Sequence, residues 1–425
     1  MEEPKQNIIL AKQTFNTFDI KLFICTLLLL GIGLISLYSA VHSSEMTTVF
    51  TKQLISAGIG IILMISLFFA PKEWIRALLV PSYIISMLLL LLVLTPLGTE
   101  INGTKGWIRL GFLSLQPAEL AKPAVVFFAA WRLTNKYTDV NQSNNFFILL
   151  LSFLVPSVLI LLQPDFGSFS VVLVLFCGVL YWAGFNGFIL YCIACLPIIG
   201  VSGLIDKTLL YVVTALFSVL AFFFRRKILY TIIAISIFLA VGFGAPLIIN
   251  NLEDYQQSRI NTLLNPESDP LGTGYNVLQS ILAIGSGELT GKGYLQGTQT
   301  QLRYIPMQWT DFIFSVPNEE FGFIGGASII LLFVFVLWRG VKIAFNAQDR
   351  TSSIMAAGIV ITILYHCIIN MGMTMGIMPV TGIPLPFISY GGSSLIMNLG
   401  LVGILLNINK NTVINQSTFN PKVVV

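Results

Sequence analysis

The run Ile20–His42, IKLFICTLLLLGIGLISLYSAVH, decides the fold, because its one Lys, Lys21, stands at the very edge. About 20 apolar residues carry a helix across the hydrocarbon core of a bilayer, and this run supplies them. It follows a tail with Lys5 and Lys12 and has no Ala-x-Ala cleavage site, so it is expected to remain as a first span and not to leave as a signal peptide. Similar runs recur near 52–70, 76–97, 117–134, 145–163, 168–184, 187–204, 208–224, 228–249, 321–338, 352–375 and 390–408. The reading is one integral membrane domain over 1–425, an all-α polytopic transmembrane helix bundle of about twelve spans. Nine spans lie within 20–249 and three within 321–408, between tails 1–19 and 409–425.

Composition agrees. Of 425 residues, 56% are hydrophobic and 10% are charged, and the mean hydropathy is +0.86, whereas a soluble domain carries about 25% charged residues. A net charge of +4 without a basic block gives no ground for a nucleic-acid partner. All five Cys lie in apolar runs, where thiols act as small hydrophobes. Cys192 and Cys195 have CxxC spacing, but they stand alone in a helical apolar run, so neither a disulfide framework nor a metal cluster is expected.

Positive charge sets the orientation. With the amino terminus inside, 15 of the 23 Lys and Arg fall on cytoplasmic segments, among them Arg225-Arg226-Lys227, and both termini are expected in the cytoplasm. Three polar elements then face outward: 98–116, a large extracytoplasmic loop over 250–320, and the Pro/Gly-rich 376–389. Connections longer than about 15 residues are usually functional or disordered, so chemistry is expected on the outer face.

The outer stretch AIGSGELTGKGY, residues 283–294, brings a phosphate-binding loop to mind, but the spacing fails. Ser286 stands where the first Gly belongs, and Gly293 follows Lys292 where Ser or Thr is needed. Glycines for tight turns are the plainer reading. It leaves Lys292 on a turning backbone whose N–H groups could face an anion.

In LQPAELAKPAVVFF, Pro117 suits a first helical turn and Glu119 opposes the positive helix end. Lys122 lies three residues on, on the same face and about 8 Å along the span. It marks a functional site unless it snorkels to the surface. Asp165, in LLQPDFGS, reads either as a second such device or as the cap of the next helix. His366 and Asn370 within the eleventh span read as interhelical hydrogen-bonding residues.

Asp311, in WTDFIFSVPNEE, is the sharpest case. Thr310 and Asp311 both suit a helix N-cap. A carboxylate framed by Phe-Ile-Phe is also desolvated, which raises its pKa toward that of a useful general base. Arg259, Lys292 and Arg303 lie in the same loop, where eight acids outnumber three bases between 250 and 320. That balance suggests a divalent cation, Mg²⁺ or Mn²⁺, bridging the acids and an anionic substrate.

At this point the chain resembles a family. NGTKGWIRLGFLSLQPAELAK (102–122), LLQPDFGS (161–168), the run from Leu263 to Pro306, TDFIFSVPNEEFGF (310–323) and MGIMPVTGIPLPFISYGGSSL (375–395) are similar to the SEDS family of peptidoglycan polymerases. PESDPLGTGYN and GKGYLQGTQTQL resemble its RodA-like elongation branch more than its FtsW-like division branch. The resemblance implies a glycosyltransferase on the outer face of the bacterial cytoplasmic membrane. Its substrate would be lipid II, a disaccharide-pentapeptide on undecaprenyl diphosphate, and its partner a class B penicillin-binding protein. The family's catalytic carboxylate matches Asp311. Lys122 with Glu119, Arg109, Arg259, Lys292 and Arg303 are the candidates for holding the substrate and the departing diphosphate.

Three departures stand out. Relatives commonly carry Pro-Glu-x-His-Thr-Asp, where this chain has Pro306-Met307-Gln308-Trp309-Thr310-Asp311. Gly106 stands where the family usually has Arg, with Lys105 and Arg109 as possible substitutes. Ten spans are usual, and the extra pair falls in 187–224. The competing readings are a lipid II flippase and a non-catalytic scaffold for wall assembly. Against a flippase, the charged groups gather at the outer face, without a polar path inward or a repeat between halves.

Overall fold

The computed structural model describes residues 18–43, 47–101, 103–111, 113–134, 139–225, 228–249 and 272–419. A helix lies at each of the twelve expected spans: α1 (Ile20–His42), α2 (Thr47–Phe69), then, after a short α3 (Lys72–Ala77), α4 (Leu79–Leu94). After three short strands come α5 (Pro117–Arg132), α6 (Ser143–Leu161), α7 (Phe166–Trp182), α8 (Gly187–Ile205), α9 (Lys207–Arg225) and α10 (Ile228–Ile249). Two outer helices, α11 (Thr273–Ser286) and α12 (Thr298–Gln301), precede α13 (Ser315–Asn346), α14 (Arg350–Thr374) and α15 (Gly392–Phe419). Among the described residues seven of these helices are long and apolar enough to cross a membrane alone, and four more are shorter but apolar. The chain is a multi-pass membrane protein.

The described residues fall into two compact units, one within Met1–Val179 and Asn276–Val425, the other within Leu180–Tyr275. The second is built by α8, α9 and α10 around Cys195, Ile199, Leu210, Ala221, Ala234 and Phe238. Helices α8 and α9, where the extra pair is expected, form a tight hairpin in which Asp206 alone separates them and caps α9 through Thr208 N (2.9 Å).

In the first unit, polar side chains close helix ends where apolar packing cannot. Asp19 accepts from Leu22 N at 3.2 Å as the cap of α1 and from Arg339 Nε of α13 at 2.9 Å. Asn407 of α15 donates to the carbonyls of Leu67, Phe68 and Ala70 at 2.9, 3.0 and 2.8 Å, satisfying the end of α2. Gly60 of α2 faces Leu399 of α15, where an added Cβ would come within 2.5 Å of the Leu399 side chain.

Three outer segments carry structure that the sequence reading does not describe. The outer element 98–116 holds a three-stranded antiparallel sheet, β1 (Thr99–Ile101), β2 (Thr104–Leu110) and β3 (Leu113–Leu115), in the order β1-β2-β3. The Pro/Gly-rich segment after α14 is not an exposed loop. Ile383, Leu385, Phe387 and Ile388 are all buried, and the backbone at Phe387–Ile388 runs against Gly33 of α1. Irregular backbone is tolerated inside a membrane bundle only where other groups satisfy it. Here Gln53 of α2 donates to Ser389 O at 3.0 Å and accepts from Gly391 N at 3.1 Å. Finally, the outer loop ends before 320: Glu319 and Glu320 lie inside α13, ahead of a kink at Gly322 (φ 65°).

Candidate active site

Asp311 sits in the turn that leads into α13. The flanking Phe312, Ile313 and Phe314 are buried, Phe312 packing with Val277, Ala283, Ile305, Met373 and Val380. Apolar anchors on one side leave the carboxylate half-buried. It does not occupy the cap of α13, whose N-cap position is Phe314. The backbone around it is pinned from two other segments. Tyr390 N donates to Trp309 O at 2.9 Å. Asn370 of α14 donates to the carbonyls of Asp311 and Ile383 at 2.9 and 2.8 Å. Gly382 (φ +73°) faces the carboxylate: a Cβ built there would lie 3.6 Å from Asp311 Oδ2. The missing side chain keeps space open in front of the acid.

Lys122 and Glu119 form an ion pair on α5, Nζ to Oε1 2.6 Å, with side chains only 2% and 5% exposed. His366 of α14 is buried within the electrostatic reach of Lys122. The same α14 carries Asn370 one turn on, so one helix touches both the ion pair's surroundings and the Asp311 turn. Asp165 takes the capping role that its position allows. Its Oδ1 caps α7 through Ser168 N (2.9 Å), and its Oδ2 accepts from Gln116 Nε2 (3.2 Å) at the start of α5. Gly167, next to it, lies against Thr381 and Ile383 of the inserted segment. The starts of α5, α7 and α13, the end of α14 and the segment 376–391 therefore meet at one end of the first unit, the end that the charge distribution assigns to the outside.

The other candidates stand apart. Lys292 donates to Glu319 Oε1 at 2.8 Å and to Thr298 Oγ1 at 2.7 Å. The backbone N–H groups around it do not form an anion cradle, because Lys292 N and Gly293 N donate to the carbonyls of Glu319 and Glu320 at 3.0 Å each. Arg303 is exposed and its guanidinium donates to the Ser43 carbonyl at the end of α1. Arg109 is exposed on β2, opposite Ser114 of β3. Lys105 closes α4 through the Leu94 carbonyl (3.2 Å). Arg259 lies outside the described residues, as do Glu253, Asp254, Glu267 and Asp269.

Glu319 is fully buried and accepts from Gln299 N, Thr300 N and Thr300 Oγ1 at 2.9, 2.9 and 2.7 Å besides Lys292. Glu320 is held by Ser39 of α1. Both acids are thus engaged in building the loop. Among the described residues no three His, Cys, Asp or Glu side chains come together to hold a metal ion. Asn370 forms hydrogen bonds as its place in the span suggests, though to backbone carbonyls, whereas the sequence assigns no role to Tyr390, Gln308 or Gly382. Their signal is faint, because a backbone hydrogen bond or an empty Cβ leaves no chemical signature.

The chain matches the profile of the FtsW/RodA/SpoVE cell cycle protein family over residues 20–210 and 188–414, two stretches that overlap within α8 and α9. It is 37% identical over 404 residues to stage V sporulation protein E of Bacillus subtilis, covering 92% of this chain and 97% of that one. It is 34% identical over 424 residues to peptidoglycan glycosyltransferase RodA of Treponema pallidum, with the same coverage of 92% and 97%. Among solved structures it is similar, with TM-score 0.70 and 27% identity over 93% of this chain and 98% of the other, to a chain described under structural coordination of polymerization and crosslinking by a peptidoglycan synthase complex. Rod shape determining protein RodA of Thermus thermophilus gives TM-score 0.61 at 25% identity, over 93% and 97%. On the profile match and these identities, the chain belongs to the FtsW/RodA/SpoVE family of cell cycle proteins.

Proposed function

We propose that the chain polymerises lipid II into glycan strands on the outer face of the bacterial cytoplasmic membrane, with Asp311 as general base. That it is a peptidoglycan glycosyltransferase rests on relatives of that name covering most of its length. The observation that carries the residue assignment is the setting of Asp311. A half-buried carboxylate is anchored by Phe312 to Phe314, pinned by Asn370 and Tyr390, and faces the bare Cα of Gly382.

The acceptor sugar hydroxyl gives its proton to the Asp311 carboxylate as its oxygen attacks the anomeric carbon of the donor. The bond from that carbon to the diphosphate breaks, and undecaprenyl diphosphate leaves with the electron pair. Asp311, being half-exposed, then returns its proton to water. The leaving charge needs cations fixed in advance. Lys122, held in place by Glu119, is proposed first for that role, with Arg109, Arg259 and Arg303 as further candidates, while Lys292 is committed to Glu319. A divalent cation between the outer-loop acids and the diphosphate is proposed to add to that charge neutralisation. Loss of polymer in excess chelator and its return with Mg²⁺ or Mn²⁺ would support it.

The elongation role is favoured by the motifs between 266 and 302, and a class B penicillin-binding protein is the proposed partner. The deciding experiment supplies lipid II to the purified protein with that partner and separates glycan strands on a gel. Polymer from wild type and none from a folded Asp311→Asn chain supports the assignment. Equal polymer from both removes Asp311 as the base. No polymer from either leaves lipid II transport and a non-catalytic scaffold as the readings to pursue.

A further inference from the structure

Gln308 lies three residues before Asp311 and is only 1% exposed. Its Nε2 donates to the carbonyls of Ala40, at the end of α1, and of Thr300, in α12's last turn, at 2.8 and 3.0 Å. Its Oε1 is buried without a hydrogen-bond partner. An orphaned buried acceptor destabilises a fold, and an apolar side chain of the same volume would avoid that cost. A polar residue kept against this rule points to a task for its two donated bonds.

The two bonds lead to fixed points. Thr300 is tied through its N–H and its hydroxyl to the buried Glu319 carboxylate, which Lys292 also holds. Beyond Gln308 the chain is caught again at Trp309 O by Tyr390 and at Asp311 O by Asn370. Upstream, Arg303 and Met307 sit in the left-handed region, with φ of 58° and 55°. Such a conformation persists only where surrounding contacts over-determine it.

We propose that Gln308 is a positioning residue for Asp311, hanging the carboxylate between the end of α1 and the Glu319-anchored turn at Thr300. This rests on Asp311 being the base. Lys292 then serves the support of the base through Glu319. A carboxylate displaced by about 1 Å costs on the order of a hundredfold in rate when geometry is decisive, while lipid II binding is left as it was.

The test uses the full chain with its partner and Gln308→Met, which keeps the volume and removes both donors. Polymerisation is followed against lipid II concentration. In parallel, Asp311→Cys with and without Gln308→Met is labelled by a membrane-impermeant thiol reagent, a readout that needs no activity. The expected result is kcat lower by about tenfold or more at unchanged KM, together with a labelling rate altered at least about threefold. Unchanged labelling, or a rise in KM at unchanged kcat, overturns the proposal. If the wild-type chain makes no polymer while labelling still shifts, positioning stands and the glycosyltransferase reading falls. Should Gln308→Met fail to fold, Thr300→Val, which loosens the carbonyl that Gln308 grips, is judged by the same labelling shift, with Thr300→Ser expected to restore the wild-type rate.

Discussion

Lys122 Nζ meets Glu119 Oε1 at 2.6 Å on successive turns of α5, with both side chains buried. Removing one member leaves the other as an uncompensated buried charge, at about 3–5 kcal/mol, whereas replacing both is often close to neutral. Lys122→Met alone is therefore expected to lower the thermal midpoint strongly. Lys122→Met with Glu119→Gln is expected to recover most of it. If Lys122 also stabilises the leaving diphosphate, the double variant stays inactive in the polymer assay despite its recovered fold. A double variant with wild-type activity would make the pair purely structural.

Asp349 caps α14 and is gripped by Lys72 (2.8 Å) and Arg76 (2.9 Å). Burial pushes its carboxyl up. The hydrogen bond from Lys72, those from Ser352 and the Lys72 charge outweigh burial and hold it at about 2, below the usual 3.8. A depressed carboxylate stabilises the fold above its unfolded pKa and loses that contribution as pH falls through the folded value. Asp349→Asn should thus destabilise by roughly 2 kcal/mol at every pH from 5 to 8. The gap should close between about pH 4 and pH 2. Unfolding midpoints across that series check both the size and the window.

Gly382 has φ +73° and its absent side chain faces Asp311. Gly382→Ala is expected to cost on the order of 1–2 kcal/mol from the backbone alone. It should also lower kcat/KM by about tenfold by crowding the acceptor hydroxyl. A variant that loses stability but keeps its full kcat/KM would place the substrate elsewhere.

Asn407→Leu keeps the bulk of the side chain in α15 and removes three bonds to the last carbonyls of α2. The expected loss is about 1–3 kcal/mol. Because the residue is at the opposite end of the helices from Asp311, polymer made per folded molecule should not change. Detergent-solution unfolding combined with the gel assay separates the two.

The spans were legible because each is a long apolar run, a signal carried by every residue in it. Lys122 and Glu119 were legible as a pair because helical spacing places i and i+3 on one face. The sheet was not. Thr104–Leu110 is seven residues with Lys105 and Arg109 among them, too short and too charged to stand out. The inserted segment was misjudged because Pro379, Gly382, Pro384 and Pro386 suggest a loop, although Ile383, Leu385, Phe387 and Ile388 between them are core residues. Glu319 and Glu320 read only as acids of the outer loop, because nothing nearby in sequence neutralises them. Their partners, Lys292, Thr300 and Ser39, arrive from 27, 19 and 281 residues away. Tertiary hydrogen bonds of that kind leave no periodic trace.

The bond from Tyr390 N to Trp309 O bears on synthesis at the ribosome. Translation delivers Asp311 well before Asn370 and Tyr390, the two residues that fix its turn, and Gln53 waits still longer for Ser389 and Gly391. A nascent chain therefore holds a carboxylate with no fixed aim until the segment before α15 folds back into the bundle. Products truncated before Asn370 would enter the membrane with the Asp311 turn lacking both of the bonds that pin it.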